Sequence, residues 1–406
     1  MTVPAEPHSD YRLNVKKPSL LTLIVLISYG SIGTALFTPA IPSVMDRFHV
    51  GAGIAQLTVM LFLLGYSLGQ LIYSPVAKRY GRKPALYVGI GVSLIGNFLC
   101  ILAGYIDDLT LLVLARLITS LGSSVGLSLT FMIISDYYYE SHARKVTAYT
   151  MLAFAVVPGV GIAIGGFLVA YLGWISCFYF LFLYGVFALF LAYRLAETST
   201  EKESDSFSLR RVIKAYLRDF KNPILSLYSI MIGTTTAFIY TFAATAPVIG
   251  IRMMGLSPDV YGIYNLIPAA GYFLGNFIAA RLSSHCKIKT VLKLGIFMMA
   301  LGILIFAALF FLGFKSPWNL FLPVFIIYFG SPLFYSNAAV IATFRVPDKP
   351  NASSIMSFIN IGCAVLGLAL LEVAHGNPMI MLSLFFILGM IFILFLFRRG
   401  QKLIED

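Results

Sequence analysis

Twelve long apolar stretches limit what this chain can become. They run near 19–41, 52–74, 85–104, 109–134, 146–172, 175–195, 223–250, 258–281, 290–313, 318–343, 352–374 and 378–397. Each is about the 20 residues a helix needs to cross the hydrocarbon core of a bilayer. In that medium backbone N–H and C=O groups must be satisfied within the segment, so a helix is required unless strands close into a barrel. Barrel strands would show short alternating segments, and this sequence has none. Only 11% of its 406 residues are charged while 59% are apolar or aromatic. A soluble domain carries about 25% charged residues, so the chain cannot cover a soluble surface. The first 18 residues are polar and the first apolar stretch is long enough to span, which reads as a retained span and not a cleaved leader.

The basic residues give the orientation. Of 29 Lys and Arg, 25 fall in connections on one side, among them Lys78, Arg79, Arg82, Lys83, Arg144, Lys145, Arg398 and Arg399. Arg47, Arg252 and Lys315 lie on the other, and Arg116 falls inside a span. The positive-inside rule then puts both termini in the cytoplasm. The net charge of +12 reports topology and contact with anionic membrane lipid, and needs no nucleic-acid partner.

The longest polar connection, residues 196–222, starts acidic and serine-rich and becomes basic and amphipathic from Leu209 to Phe220. It reads as a flexible segment followed by a helix on the inner membrane surface. It separates residues 19–195, six spans, from residues 223–397, six more, with cytoplasmic tails at 1–18 and 398–406. An internal repeat supports the division. Residues 65–89 and 271–295 align without a gap at an offset of 206, with eight of 25 positions identical. Two parallel six-helix repeats with a site near the midplane between them is a recurring transporter architecture.

These residues resemble the major facilitator superfamily, and within it the Bcr/CflA-type drug/proton antiporters of twelve spans. The match rests on Gly65 to Pro84, including Gly69 and the Arg79-Tyr80-Gly81-Arg82-Lys83-Pro84 turn, and on Leu112 and Arg116 in the fourth span. Asp136 and Arg144 stand where the family places an acid and a base. Pro158, Gly161, Gly165 and Gly166 resemble its span-five motif, and Gly173-Trp174, Glu197-Thr198, Phe329-Gly330 and Asn337 add to the likeness. The resemblance implies an all-α fold of two six-helix halves and alternating access. It also implies a multi-pass protein of the bacterial inner membrane, with a proton gradient as partner, acting as a monomer. Departures limit what carries over. Lys78 replaces the usual Asp of the loop motif, Thr119-Ser120 replaces Gln-Gly, and Ile162 replaces a Pro. Ala35 stands where the first span usually has its proton-carrying Asp.

Arg116 lies about 10 Å into its span at 1.5 Å per residue. A charge at that depth faces water, a partner or a substrate, or else holds neighbouring backbone carbonyls. A guanidinium suits bidentate recognition of a carboxylate. With it, Tyr29, Thr34, Tyr240 and Asn337 are candidate substrate or coupling residues; Ser31, Phe238 and Thr241 fall near cavity depth in the fold the resemblance implies, and Asn265, Asn276 and Tyr335 offer hydrogen bonds from the second half. Each of these can equally be an interhelical contact. Glu372 and His375, three residues apart near the outer end of span eleven, form a candidate gate or a simple interfacial pair. Gly122-Ser-Ser-Val-Gly126 matches a hydrolase elbow only formally, since no strand precedes it. No catalytic cluster, metal spacing or nucleotide-binding loop is visible, so neither an enzyme nor a cofactor is expected. The expectation is secondary transport of a small organic compound. Proton-coupled drug or metabolite efflux is favoured, and transport of a carboxylate siderophore or other anionic metabolite is the alternative. A membrane sensor or embedded enzyme would need an added domain or cluster.

Overall fold

The computed structural model describes residues 18–198, 217–282, 285–313, 316–344, 349–373 and 376–405. Twelve helical spans are found among them: span 1 (Leu20–Phe48), 2 (Ala52–Tyr80), 3 (Arg82–Ile106), 4 (Leu109–Tyr137), 5 (Lys145–Leu172), 6 (Ser176–Tyr193), 7 (Pro223–Met253), 8 (Pro258–Leu282), 9 (Ile288–Phe311), 10 (Pro317–Thr343), 11 (Ile355–Val373) and 12 (Pro378–Leu403). The apolar runs of the sequence anticipate them to within a few residues. The largest extensions are at the inner ends of spans 2 and 12 and the outer end of span 1. At the inner ends the helix continues into the basic interfacial residues Lys78, Arg79, Arg398 and Arg399. There a long cationic side chain keeps its stem on apolar surface and its head in water. Of the amphipathic segment expected before span 7, residues 217–220 are described and are helical.

Several spans break where the sequence says a helix cannot run on. In span 1 the α-helix stops at Ala35, and a 3₁₀ turn, Thr38–Ala40, joins it to Ile41–Phe48. Pro39 and Pro42 lack the N–H a continuous helix needs there. Span 7 widens to a π-turn over Val248–Met253, directly after Pro247. Pro158, by contrast, lies within an unbroken helix in span 5.

The repeat has a packing reason. A methyl added at Gly65 would come within 2.6 Å of the Leu117 carbonyl oxygen, and one at Gly69 within 2.7 Å of that of Leu121. In the second copy, Gly271 and Gly275 lie equally tight against the carbonyls of Phe325 and Phe329. The same pair of glycines therefore seats span 2 on span 4 and span 8 on span 10, because only a residue without Cβ permits that backbone approach.

Spans 2 and 11, and 5 and 8, pack across the two sets of six. Polar contacts between the sets are found on the side the basic residues mark as outer. Arg252 donates to Asp46 at 2.6 Å, Tyr171 to Asp259 at 3.5 Å, and Gln56 Nε2 to the Ala244 carbonyl at 3.3 Å. The stem of Glu372 lies over Gly53, where a methyl would sit 2.8 Å from its Cγ, and Gly166 presses on the Pro258 carbonyl. On that side the two halves are closed.

Candidate functional site

The inner end of the first half is held by a compact ion network. Gly81 turns the chain with φ +106°, a conformation that favours glycine, and span 3 begins at the next residue. Glu197 approaches that helix start and accepts from the backbone N–H groups of Arg82 (2.9 Å) and Lys83 (3.0 Å). A carboxylate there satisfies orphan donors and meets the positive end of the helix dipole. Arg82 donates from Nε to Asp136 at 2.8 Å and from Nη2 at 3.2 Å, and from Nη1 to the Ala77 carbonyl. Thr198 also donates to Asp136. Lys83 reaches the Tyr193 carbonyl at 2.8 Å. These contacts tie spans 2, 3, 4 and 6 together and remain within the first half. Lys78 is exposed, Arg79 lies over the Tyr80 ring, and the Arg144 side chain falls outside the described residues.

Arg116 is fully buried. Its Nη1 donates to the Gly33 carbonyl at 2.9 Å and its Nε to that of Thr58 at 3.3 Å. The guanidinium lies 4.2 Å from the Phe62 ring centre, 4.8 Å from Phe37 and 6.0 Å from Phe178. Its Nη2 has no partner among the described residues. All these groups belong to spans 1, 2, 4 and 6. The carbonyl-holding arrangement is the one seen, reinforced by cation–π contacts, and the groups that hold the charge come from the first half.

The other candidates separate by the direction each side chain takes. Tyr29 turns into the first bundle, stacked on Tyr184 at 6.0 Å, and Thr34 donates back to the Gly30 carbonyl. Asn337 likewise donates to its own helix, at the Leu333 carbonyl. Ala35 packs with Ile162, and a methyl at Gly161 would lie 3.6 Å from its Cβ. Position 35 is therefore a helix contact with span 5. Gly165 packs against the Leu36 carbonyl too closely for any side chain. His375 lies outside the described residues.

Tyr240 is where the candidates converge. It lies within electrostatic reach of Tyr66, Tyr272, Tyr328 and Tyr335. These five phenols come from span 2 of the first half and spans 7, 8 and 10 of the second, all well inside their spans. Tyr272 and Tyr328 rings meet edge to face at 6.3 Å, and Tyr328 donates to the Ile239 carbonyl at 3.0 Å. The Tyr66 ring edge fills the space where Gly30 would carry a side chain. Sequence reasoning named Tyr240 and Tyr335 but missed Tyr66, Tyr272 and Tyr328. The signal was present, since Tyr66 and Tyr272 are an identical pair of the internal repeat.

The family described as Major Facilitator Superfamily matches residues 21–371. This chain belongs to that superfamily. Among its superfamily relatives is an uncharacterized transporter of Rickettsia felis, 30% identical over 305 residues, covering 73% of this chain and 72% of that protein. Multidrug resistance protein D of Escherichia coli is 24% identical over 349 residues, 86% of each chain. The bicyclomycin resistance protein homolog of Haemophilus influenzae is 22% identical over 368 residues, 89% of this chain and 91% of that one. Among solved structures, the inward open conformation of the xylose transporter XylE from E. coli superposes with a TM-score of 0.73 at 14% identity, covering 93% and 94% of the two chains. That likeness establishes the superfamily fold, and membership makes the chain a secondary transporter and not an enzyme.

Proposed function

We propose that this superfamily member exports a small organic compound across the bacterial inner membrane in exchange for protons, binding it at mid-membrane among the tyrosines between the halves. The observation that carries the reading is that cluster: Tyr66 of the first half lies within electrostatic reach of Tyr240 and Tyr335 of the second, inward of the outer closure, and alternating access requires a site both halves can release. The names of the E. coli and H. influenzae relatives support the efflux side of the reading. In the arrangement described the outer ends of the two halves are held together by Asp46–Arg252, by Gln56 on the Ala244 carbonyl and by Glu372 over Gly53.

Arg116 enters this reading as a positioning residue: it joins spans 1, 2 and 4 through carbonyls and aromatic rings. Glu372 belongs to the outer closure, and Arg82 with Asp136 and Glu197 stiffens the inner end of the first half. The glycines and Pro158 of span 5 set the packing on which the halves rock. An anionic substrate would need a cation that faces the interface, and the hold of first-half carbonyls and rings on Arg116 favours a substrate of another charge. The test is efflux from proteoliposomes under an imposed pH gradient, comparing the wild type with Tyr240→Ala. Gradient-driven efflux that falls at least about tenfold in the variant supports the site, taking each site contact as worth about 1.4 kcal/mol or more. Equal efflux in both would remove it.

A further inference from the structure

The inner ends of the two halves are built from one repeat but are neutralised differently. In the first half, span 3 begins with Arg82 and Lys83, and carboxylates of the chain meet them. Glu197 accepts from both backbone N–H groups, at 2.9 and 3.0 Å, and Asp136 accepts from the Arg82 side chain at 2.8 Å. The offset of 206 carries Lys83 to Lys289 and Tyr87 to Lys293, at the start of span 9. That helix begins without a side-chain cap and with no acid in its first turn. Among the described side chains at the inner ends of spans 8, 9, 10 and 12, none is acidic. Asp219, before span 7, is buried and paired with Arg218 at 2.8 Å.

Span 12 brings further cations to the same level. Spans 9 and 12 pack together, and their Phe306 and Phe386 rings meet at 5.6 Å. From that contact Lys293 lies thirteen residues toward the inner end of span 9 and Arg399 thirteen toward the inner end of span 12; Lys289 lies seventeen and Lys402 sixteen. At 1.5 Å per residue both sets stand about 20–25 Å inward of the rings. Lys289, Lys293, Arg398, Arg399 and Lys402 are all exposed. Each set ends an exposed apolar stripe of its own helix, through Leu304 and Phe297 on span 9 and through Leu388 and Phe395 on span 12. The Arg399 guanidinium lies 5.6 Å over the Phe395 ring.

Two adjacent helix faces thus carry five cations to one depth, where they repel one another unless an anion lies among them. Packed helices have axes about 8–10 Å apart, so long basic side chains of both can reach a single phosphate. Free anions screen only loosely at a membrane surface, whereas a lipid phosphate arrives with acyl chains that match the apolar stripes. Each Lys or Arg beside an anionic leaflet strengthens the attraction roughly fivefold.

We propose that the inner ends of spans 9 and 12 bind an anionic phospholipid of the inner leaflet. Lys289 and Lys293 hold its phosphate from one side, and Arg398, Arg399 and Lys402 from the other. Its chains run along Phe297 and Phe395. The lipid supplies to the second half the counter-charge that Asp136 and Glu197 supply to the first, and it joins span 9 to span 12.

The test is native mass spectrometry of the full chain titrated with phosphatidylcholine, phosphatidylglycerol and glycerol phosphate, with thermal midpoints read in nanodiscs of each lipid. Phosphatidylglycerol should bind at least about tenfold tighter than phosphatidylcholine and raise the midpoint. Lys289→Gln with Lys293→Gln, and separately Arg398→Gln with Arg399→Gln, should each cut that preference at least about fivefold and abolish the gain in midpoint. Lys78→Gln with Lys145→Gln, which removes two exposed cations at the inner side of the first half, should leave the preference unchanged. Equal binding of the two lipids overturns the proposal. So does an equal loss in the first-half pair, which would mark general attraction to a basic surface. A loss confined to one of the two second-half pairs overturns the two-helix site. Glycerol phosphate binding as tightly as phosphatidylglycerol overturns lipid as the ligand. A variant midpoint already lowered in phosphatidylcholine alone would assign these residues to contacts within the chain instead.

Discussion

At the scale of single residues, Arg116 shows how a deep charge can be held by carbonyls and rings of neighbouring spans. Its depth was legible in the sequence, because seven apolar or small residues precede it in span 4. Its surroundings were not. Gly33, Phe37, Thr58, Phe62 and Phe178 come from three other spans, and nothing local in the chain records that they converge. The arrangement predicts that Arg116→Leu lowers stability by about 1–3 kcal/mol, the usual cost of losing hydrogen bonds to a charged group. A lowered thermal midpoint in detergent checks it, and an unchanged midpoint would count against the helix-joining role. Glu197→Gln should have a smaller effect, about 0.5–1 kcal/mol, since it weakens the charge at the start of span 3 while keeping an acceptor. Thermal unfolding reads this as a modest decrease. Tyr29 teaches the same lesson as Arg116. Its ring stacks on Tyr184 of span 6, within the first half. In a helix apolar on nearly every side, periodicity does not say which face meets which neighbour.

At the scale of elements, the spans were legible because length and hydropathy are local properties, and the basic turns fixed their direction. The breaks in spans 1 and 7 also had local causes in Pro39, Pro42 and Pro247. The function of individual glycines was less legible. The span-five motif treats Gly161 and Gly165 alike, but the structure separates them. A methyl at Gly161 meets Ile32 at an ordinary 3.4 Å, whereas one at Gly165 would collide with the Leu36 carbonyl, which is backbone and cannot turn aside. Gly165→Val should therefore destabilise by about 1–3 kcal/mol through overpacking, and Gly161→Ala should be close to neutral. Expression level and thermal midpoint of the two variants side by side provide the check. Gly166 meets the other half at Pro258, so Gly166→Val should hold the outer ends apart. Faster labelling of a cysteine placed at Gln56 in that background would show it.

At the scale of the whole molecule, the repeat at half-chain offset organises both the architecture and the site. The glycine ridges of spans 2 and 8 seat each of these spans on its neighbour, span 4 or span 10. The repeat was visible in the sequence, but that Tyr66 comes within electrostatic reach of Tyr240 and Tyr335 was not, because it depends on how the two halves are docked. The outer closure follows from the same docking. Asp46 and Arg252 are exposed, so their pairing contributes little energy, about 0–1 kcal/mol, and is suited to a contact that must break in every cycle. Asp46→Arg alone should shift the population toward the outward-open state, and adding Arg252→Asp should restore it, as the accessibility of the same Gln56→Cys site would report. The most direct measurement is the distance between spin labels at positions 46 and 252 in lipid, with the native cysteines replaced by serine. Alternating access predicts a short distance matching the closed outer ends and a second, longer population whose share changes with an imposed proton gradient. A single short distance under every gradient would contradict it.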